Sequence, residues 1–166
     1  MLQSINRKSF AFAVFAAAAS LSLQVGVAHA DGPFATFAGH WRGDGKISVS
    51  NGPQESIRCR VTYTTGNAGT LLGQDLLCAS RSYKFDVRSE VQSNGNKVTG
   101  TWSETTRGVT GSVSGHVGNG TIQAVVSGGP FSAGLALTVR GNTQYVKIKP
   151  SGATDVVDVT ITLKRS

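Results

Sequence analysis

The stretch that decides the fold is FAGHWRGDGKI, Phe37 to Ile47. Its glycines invite two readings: a loop that cradles a phosphate, or strand positions inside a sheet. A Walker-type loop ending at Gly45-Lys46 needs Gly at position 40 and Ser or Thr at 47, where the chain has His40 and Ile47. A dinucleotide fingerprint follows a strand and opens a helix, and no helical period is visible here. Side-chain parity gives the better account. Gly39, Trp41, Gly43, Gly45, Ile47 and Val49 share one face, while His40, Arg42, Asp44, Lys46 and Ser48 share the other. An apolar or glycine face opposite a polar one is the pattern of a half-buried strand, and the glycines are expected to leave space beside Trp41.

The same alternation recurs along the chain. Ile57, Cys59, Val61 and Tyr63 oppose Ser56, Arg58, Arg60 and Thr62; Tyr83, Phe85 and Val87 oppose Lys84, Asp86 and Arg88. Val98, Gly100 and Trp102 form a further face, and Val157, Val159, Ile161 and Leu163 another. Between the runs stand turn signals such as Asn51-Gly52-Pro53, Asn94-Gly95-Asn96, Gly118-Asn119-Gly120, Gly128-Gly129-Pro130 and Gly141-Asn142. Short alternating strands with such punctuation indicate an all-β sandwich or barrel. Connections are short and hairpin-like throughout, which favours closure of a meander. The expected fold is all-β, an antiparallel up-and-down barrel of about 8–10 strands. In GVTGSVSGHVG, one side holds Val109, Gly111, Val113, Gly115 and Val117, a large-small alternation suited to a tapering interior.

Residues 1–30 read as an address rather than structure. Arg7 and Lys8 precede a mostly apolar run from Phe10 to Val27, and Ala28-His29-Ala30 fits a small-x-small cleavage site. The expected organisation is a signal peptide, 1–30, followed by a single barrel domain, 31–166, in the periplasm or secreted. Net charge is +7 from 16 basic and 9 acidic residues; without Arg7 and Lys8, 14 against 9 leave +5. The basic residues are scattered, so no nucleic-acid partner is expected, though weak contact with anionic envelope polymers is compatible with this balance. Cys59 and Cys78 are expected to pair in an oxidising compartment. Structural zinc wants four ligands at recognisable spacings, so no metal and no cofactor are expected.

With that layout in view, Gly39-His40-Trp41 at the start of the first strand resembles the G-x-W signature of the lipocalin and calycin group, whose Trp closes one end of the barrel. Gly100-Thr101-Trp102 repeats the local pattern. The resemblance implies a calycin-like barrel and spans the strand layout of 37–164. The chain departs from particular branches of the group. It shows no lipocalin C-terminal helix, SVSNGP is too short for the helical lid of fatty-acid-binding proteins, and two Trp are too few for an avidin-type pocket. No His near the C-terminus matches the haem ligand of nitrobindin-like barrels. The chain also resembles small exported bacterial proteins of unknown function.

Inward-facing Trp41, Tyr63, Phe85, Trp102 and Phe131 are the candidate ligand-binding residues. Either they line a cavity for one small apolar molecule, as barrels of about eight strands can, or they fill the interior and function lies on the outer surface. No enzyme is expected, because a nucleophile, base and orienting group do not gather. Glu104 is expected as a strand-end carboxylate facing water, and His40 and His116 as solvated imidazoles. An outer-membrane barrel shares the alternation, but the glycine-interrupted faces and the ending TLKRS speak against it.

Overall fold

The computed structural model describes residues 31–152 and 154–166; the expected signal peptide, 1–30, lies outside them. Ten strands follow one another: β1 (Gly39–Val49), β2 (Glu55–Gly66), β3 (Leu71–Ala79), β4 (Lys84–Asn94), β5 (Lys97–Glu104), β6 (Val109–Gly118), β7 (Thr121–Gly128), β8 (Phe131–Arg140), β9 (Thr143–Gly152) and β10 (Val156–Arg165). Each pairs antiparallel with its neighbours in sequence, and β10 returns to pair with β1, so the sheet closes. Closure leaves no strand with an unpaired edge. Turn chemistry sets the hairpins. Asn119 and Gly120, at φ 51° and 69°, supply the two left-handed positions that a type I′ turn between β6 and β7 demands. Among the described residues no helix is long and apolar enough to cross a membrane.

Inward parity holds for β1, β2, β4, β5 and β6 as read from the sequence, but β10 brings a correction. Register slips between Ser48 and Val49, so that Ser48 faces Asp158 while Val49 faces Val156. The extra residue is Val157, which is 48% exposed while Val156 is buried. A bulge of this kind places two residues opposite one and reverses parity beyond it.

The interior glycines bring a second correction. A Cβ on Gly43 would collide with the Thr162 carbonyl oxygen and lie 2.9 Å from Leu163 Cα; one on Gly45 would meet Thr160 and lie 2.9 Å from Ile161 Cα. Gly100 and Gly115 meet the backbones of β4 and β7 in the same way. These positions therefore do not hollow out the lumen beside Trp41. They let neighbouring strands fold sharply against one another, the corner-turning use of glycine in barrels.

One end of the barrel is plugged. Residues before β1 form a short 3-10 turn, Ala35–Phe37, tied to the β2–β3 connection by Gly32 N–H to Ala68 O (2.8 Å) and Phe34 N–H to Gly69 O (3.1 Å). Phe34 and Phe37 are completely buried, and Phe37 packs edge-to-face on Tyr63. Trp41, also completely buried, donates from Nε1 to Phe37 O at 2.8 Å. Arg165 lays its guanidinium over the Trp41 ring, 4.1 Å from the centroid. It also donates to the carbonyls of Thr36 (2.9 Å) and Ala38.

Halfway up the wall, Cys59 and Cys78 face each other across β2 and β3 and are joined in a disulfide, their Cα atoms 4.1 Å apart.

Candidate functional site

The five aromatic candidates divide into two groups. Trp41 and Tyr63 lie in the plug. Burial pushes the Tyr63 hydroxyl well above its ordinary pKa, an effect the adjoining Gln144 side chain only partly offsets. Phe85, Trp102 and Phe131 sit instead towards the opposite end, and all three are only half-buried. Trp102 and Phe131 meet edge-to-face with centroids 5.8 Å apart. Tyr83, which shares the inward parity of Phe85, stacks parallel to it at 6.2 Å.

Two glycines do make room here. The Trp102 ring lies across Gly111 and Gly128: a Cβ on Gly111 would be 2.6 Å from Trp102 Nε1, and one on Gly128 3.0 Å from Cζ2. The ring is pinned in that position by Nε1 donating to Ser127 O at 3.2 Å. Leu76, Val87, Val126, Leu135 and Ile148, also inward-facing, are half-buried as well. The interior is thus sealed at the plug and accessible at the aromatic rim, along the wall formed by β3 to β9.

Glu104 departs from the water-facing position expected of it, since it is only 6% exposed. Its carboxylate accepts hydrogen bonds from the backbone N–H groups of Asp86 (3.1 Å), Thr106 (3.2 Å) and Arg107 (2.8 Å), and from the Thr106 hydroxyl. Burial alone would raise its pKa, but these donors together hold it below the ordinary 4.5. The carboxylate organises the β5–β6 turn, and that turn holds Arg107 over the Phe85 ring, 5.0 Å from its centroid. Arg107 had no marker in the sequence: it reads as one surface cation among many until the turn is built. Tyr83 was legible as inward, and its hydroxyl donates to Asp155 Oδ2 at 2.6 Å, linking two loops at the rim.

His40 and His116 are exposed. Among the described residues no group of three or more His, Cys, Asp or Glu is placed to hold a metal ion.

No protein-family description matches the sequence, and none of the curated proteins resembles it. Solved structures do share the fold. Rv2717c from M. tuberculosis superposes with a TM-score of 0.61 at 11% identity, over 80% of this chain and 94% of that one. The S-type phycobiliprotein lyase CPES from Guillardia theta gives 0.55 at 11%, over 80% and 90%. A DUF3598-family protein of unknown function from Nostoc punctiforme gives 0.56 at 14%, and this chain spans 48% of it. At these identities the likeness concerns architecture alone: the chain is a ten-stranded, calycin-like barrel.

Proposed function

We propose that this protein is an exported, non-catalytic carrier or sensor that takes one small, predominantly apolar molecule into the barrel through the aromatic rim. The observation that carries the reading is the partial exposure of inward aromatics at the rim on β4, β5 and β8, although Ile47 and Ile57 on the β1–β2 side of that end are buried. At the plug, inward side chains such as Phe34, Phe37 and Trp41 are completely buried, whereas at the rim the inward Phe85, Trp102 and Phe131 are not. Exposed inward apolar surface at one end of a closed barrel is what a ligand would cover. One architectural neighbour is a phycobiliprotein lyase, which is in keeping with a small-molecule site in this fold.

Export agrees with the Cys59–Cys78 bridge, since disulfides persist in oxidising compartments. A non-catalytic role agrees with Glu104, whose oxygens are already committed to the β5–β6 turn. Outward-facing charges on β1 and β2, Arg42, Asp44, Lys46, Arg58 and Arg60 among them, favour water over lipid around the wall.

The test is a tryptophan-fluorescence titration with fatty acids, retinoids, haem and linear tetrapyrroles. A saturable response from one class is expected, and it should disappear in Trp102→Phe. No response from any class would overturn the reading.

A further inference from the structure

The outer wall carries a second feature, independent of the lumen. Along β5 to β9 the register aligns two rows of outward side chains across the strands. The first runs Lys97, His116, Gln123, Ala136, Lys147, and the second Thr99, Ser114, Val125, Gly134, Lys149. Because the β8 positions Gly134 and Ala136 are small, the rows leave a groove of about 780 Å³ between Gln123 and Val125 on one side and Lys147 and Lys149 on the other. Val125 is 51% exposed. Lys97 closes one end and Lys147 with Lys149 the other, four strand spacings or about 19 Å apart along the sheet.

Charge on this wall is of one sign. Between residues 97 and 152 the only acidic residue is Glu104, which is buried and bonded to Arg107. The side chains flanking the groove are neutral at Gln92 and Asn94 on β4 and at Thr160 on β10, while Asp158, two residues before Thr160, lies on the Lys149 side and forms no ion pair with it among the described residues. On the opposite wall charges of both signs alternate and pair, as in Asp44–Arg58 and Asp75–Arg88.

From this geometry we infer that the groove binds an extended acidic polysaccharide, its carboxylates at the terminal lysines and its rings on the small-residue floor. Gln123, Ser114 and His116 are placed to meet sugar hydroxyls. The closed sheet argues against a peptide, which would find no unpaired strand edge to extend. The groove's lining holds no aromatic ring on which bases could stack; the exposed Tyr145 lies one row outside it. A flat lipid surface would meet the lysine heads before the recessed apolar floor.

The experiment is calorimetric titration of the oxidised protein with polygalacturonate oligomers, beside neutral dextran, poly-glutamate and single-stranded DNA. Polygalacturonate is expected to bind, more weakly as salt rises. The pair Lys97→Glu and Lys147→Glu should weaken it by roughly tenfold or more. Gly134→Phe tests the floor without touching charge, since a Cβ there meets nothing within 4 Å and the residue is exposed; it too should block binding. Lys46→Glu, on the opposite wall, should leave affinity unchanged, and near-UV circular dichroism verifies the fold of each variant. Absence of polygalacturonate binding overturns the inference. So does equal binding of poly-glutamate or DNA, or equal loss from Lys46→Glu.

Discussion

The guanidinium of Arg165, near the end of the last strand, lies 4.1 Å from the ring centroid of Trp41 in the first. The same group donates to the carbonyls of Thr36 and Ala38, so one side chain fastens the plug, the first strand and the last. Arg165→Ala should destabilise the barrel by about 2 kcal/mol, combining the cation–π contact with lost charge-assisted bonds. Arg165→Lys should recover little, because an ammonium cannot reproduce the planar fork. Urea midpoints of the variants measure both.

Gly43 and Gly134 differ in what surrounds them, and the same substitution should have opposite signs. Gly43→Ala forces a methyl into the β10 backbone and should cost about 3 kcal/mol, as overpacking does. Gly134→Ala meets open space and should be neutral or stabilise by roughly 0.5 kcal/mol. Thermal melts of the two proteins side by side check the contrast.

The disulfide spans adjacent, already paired strands. Replacing Cys59 and Cys78 together by Ala should lower stability by about 3 kcal/mol on the chain-entropy estimate while leaving the far-ultraviolet spectrum of the barrel in place. Denaturant titration with and without reductant should give the same loss for the native protein.

Glu104 makes stability acid-sensitive. Its folded pKa lies below the ordinary 4.5, so its contribution is fully present above that value and is lost as pH falls through the folded pKa. Glu104→Gln should cost about 2 kcal/mol at neutral pH, and the gap between variant and native protein should close in acid. Denaturant unfolding from pH 7 down to pH 3 reads the difference directly; a constant gap would contradict the assignment.

The bulge in β10 predicts an asymmetry between two nearby valines. Val157→Lys, at an exposed site, should change stability by no more than about 0.5 kcal/mol. Val159→Lys buries an ammonium in the interior and should cost roughly 4 kcal/mol or prevent folding.

That asymmetry also marks where the sequence stops being legible. A strand buried on one face must alternate, so the faces of β1, β2, β4, β5 and β6 could be read without coordinates, and the Gly and Asn turns separated them; in β3 and β7 the pairs Leu71-Leu72, Leu76-Leu77 and Val125-Val126 put apolar residues on both parities. In Val156-Val157-Asp158-Val159 both parities carry a valine, and the choice between them is made by the partner strand at Ser48 and Val49. Parity likewise says that Trp41, Tyr63, Phe85, Trp102 and Phe131 point inward but nothing about height along the axis. Two of them therefore proved to be plug and three rim. The plug residues Phe34 and Phe37 precede the first strand and follow no period, and the role of Gly43 depends on a neighbour, β10, far away in the chain. Arg107 and Glu104 acquire their positions only through a turn whose hydrogen bonds no periodicity records.

Of the ten strand pairings, nine join consecutive strands and one joins β1 to β10. The nine are local and can zip in any order at small entropic cost, whereas the tenth must bring together segments from the two extremes of the domain. Its formation is expected to be the slow step of folding, since a sheet lacking it would be an open ribbon with two unpaired margins. The clasp of Arg165 on Trp41 sits on that seam, so it acts as the latch that turns a ribbon into a vessel.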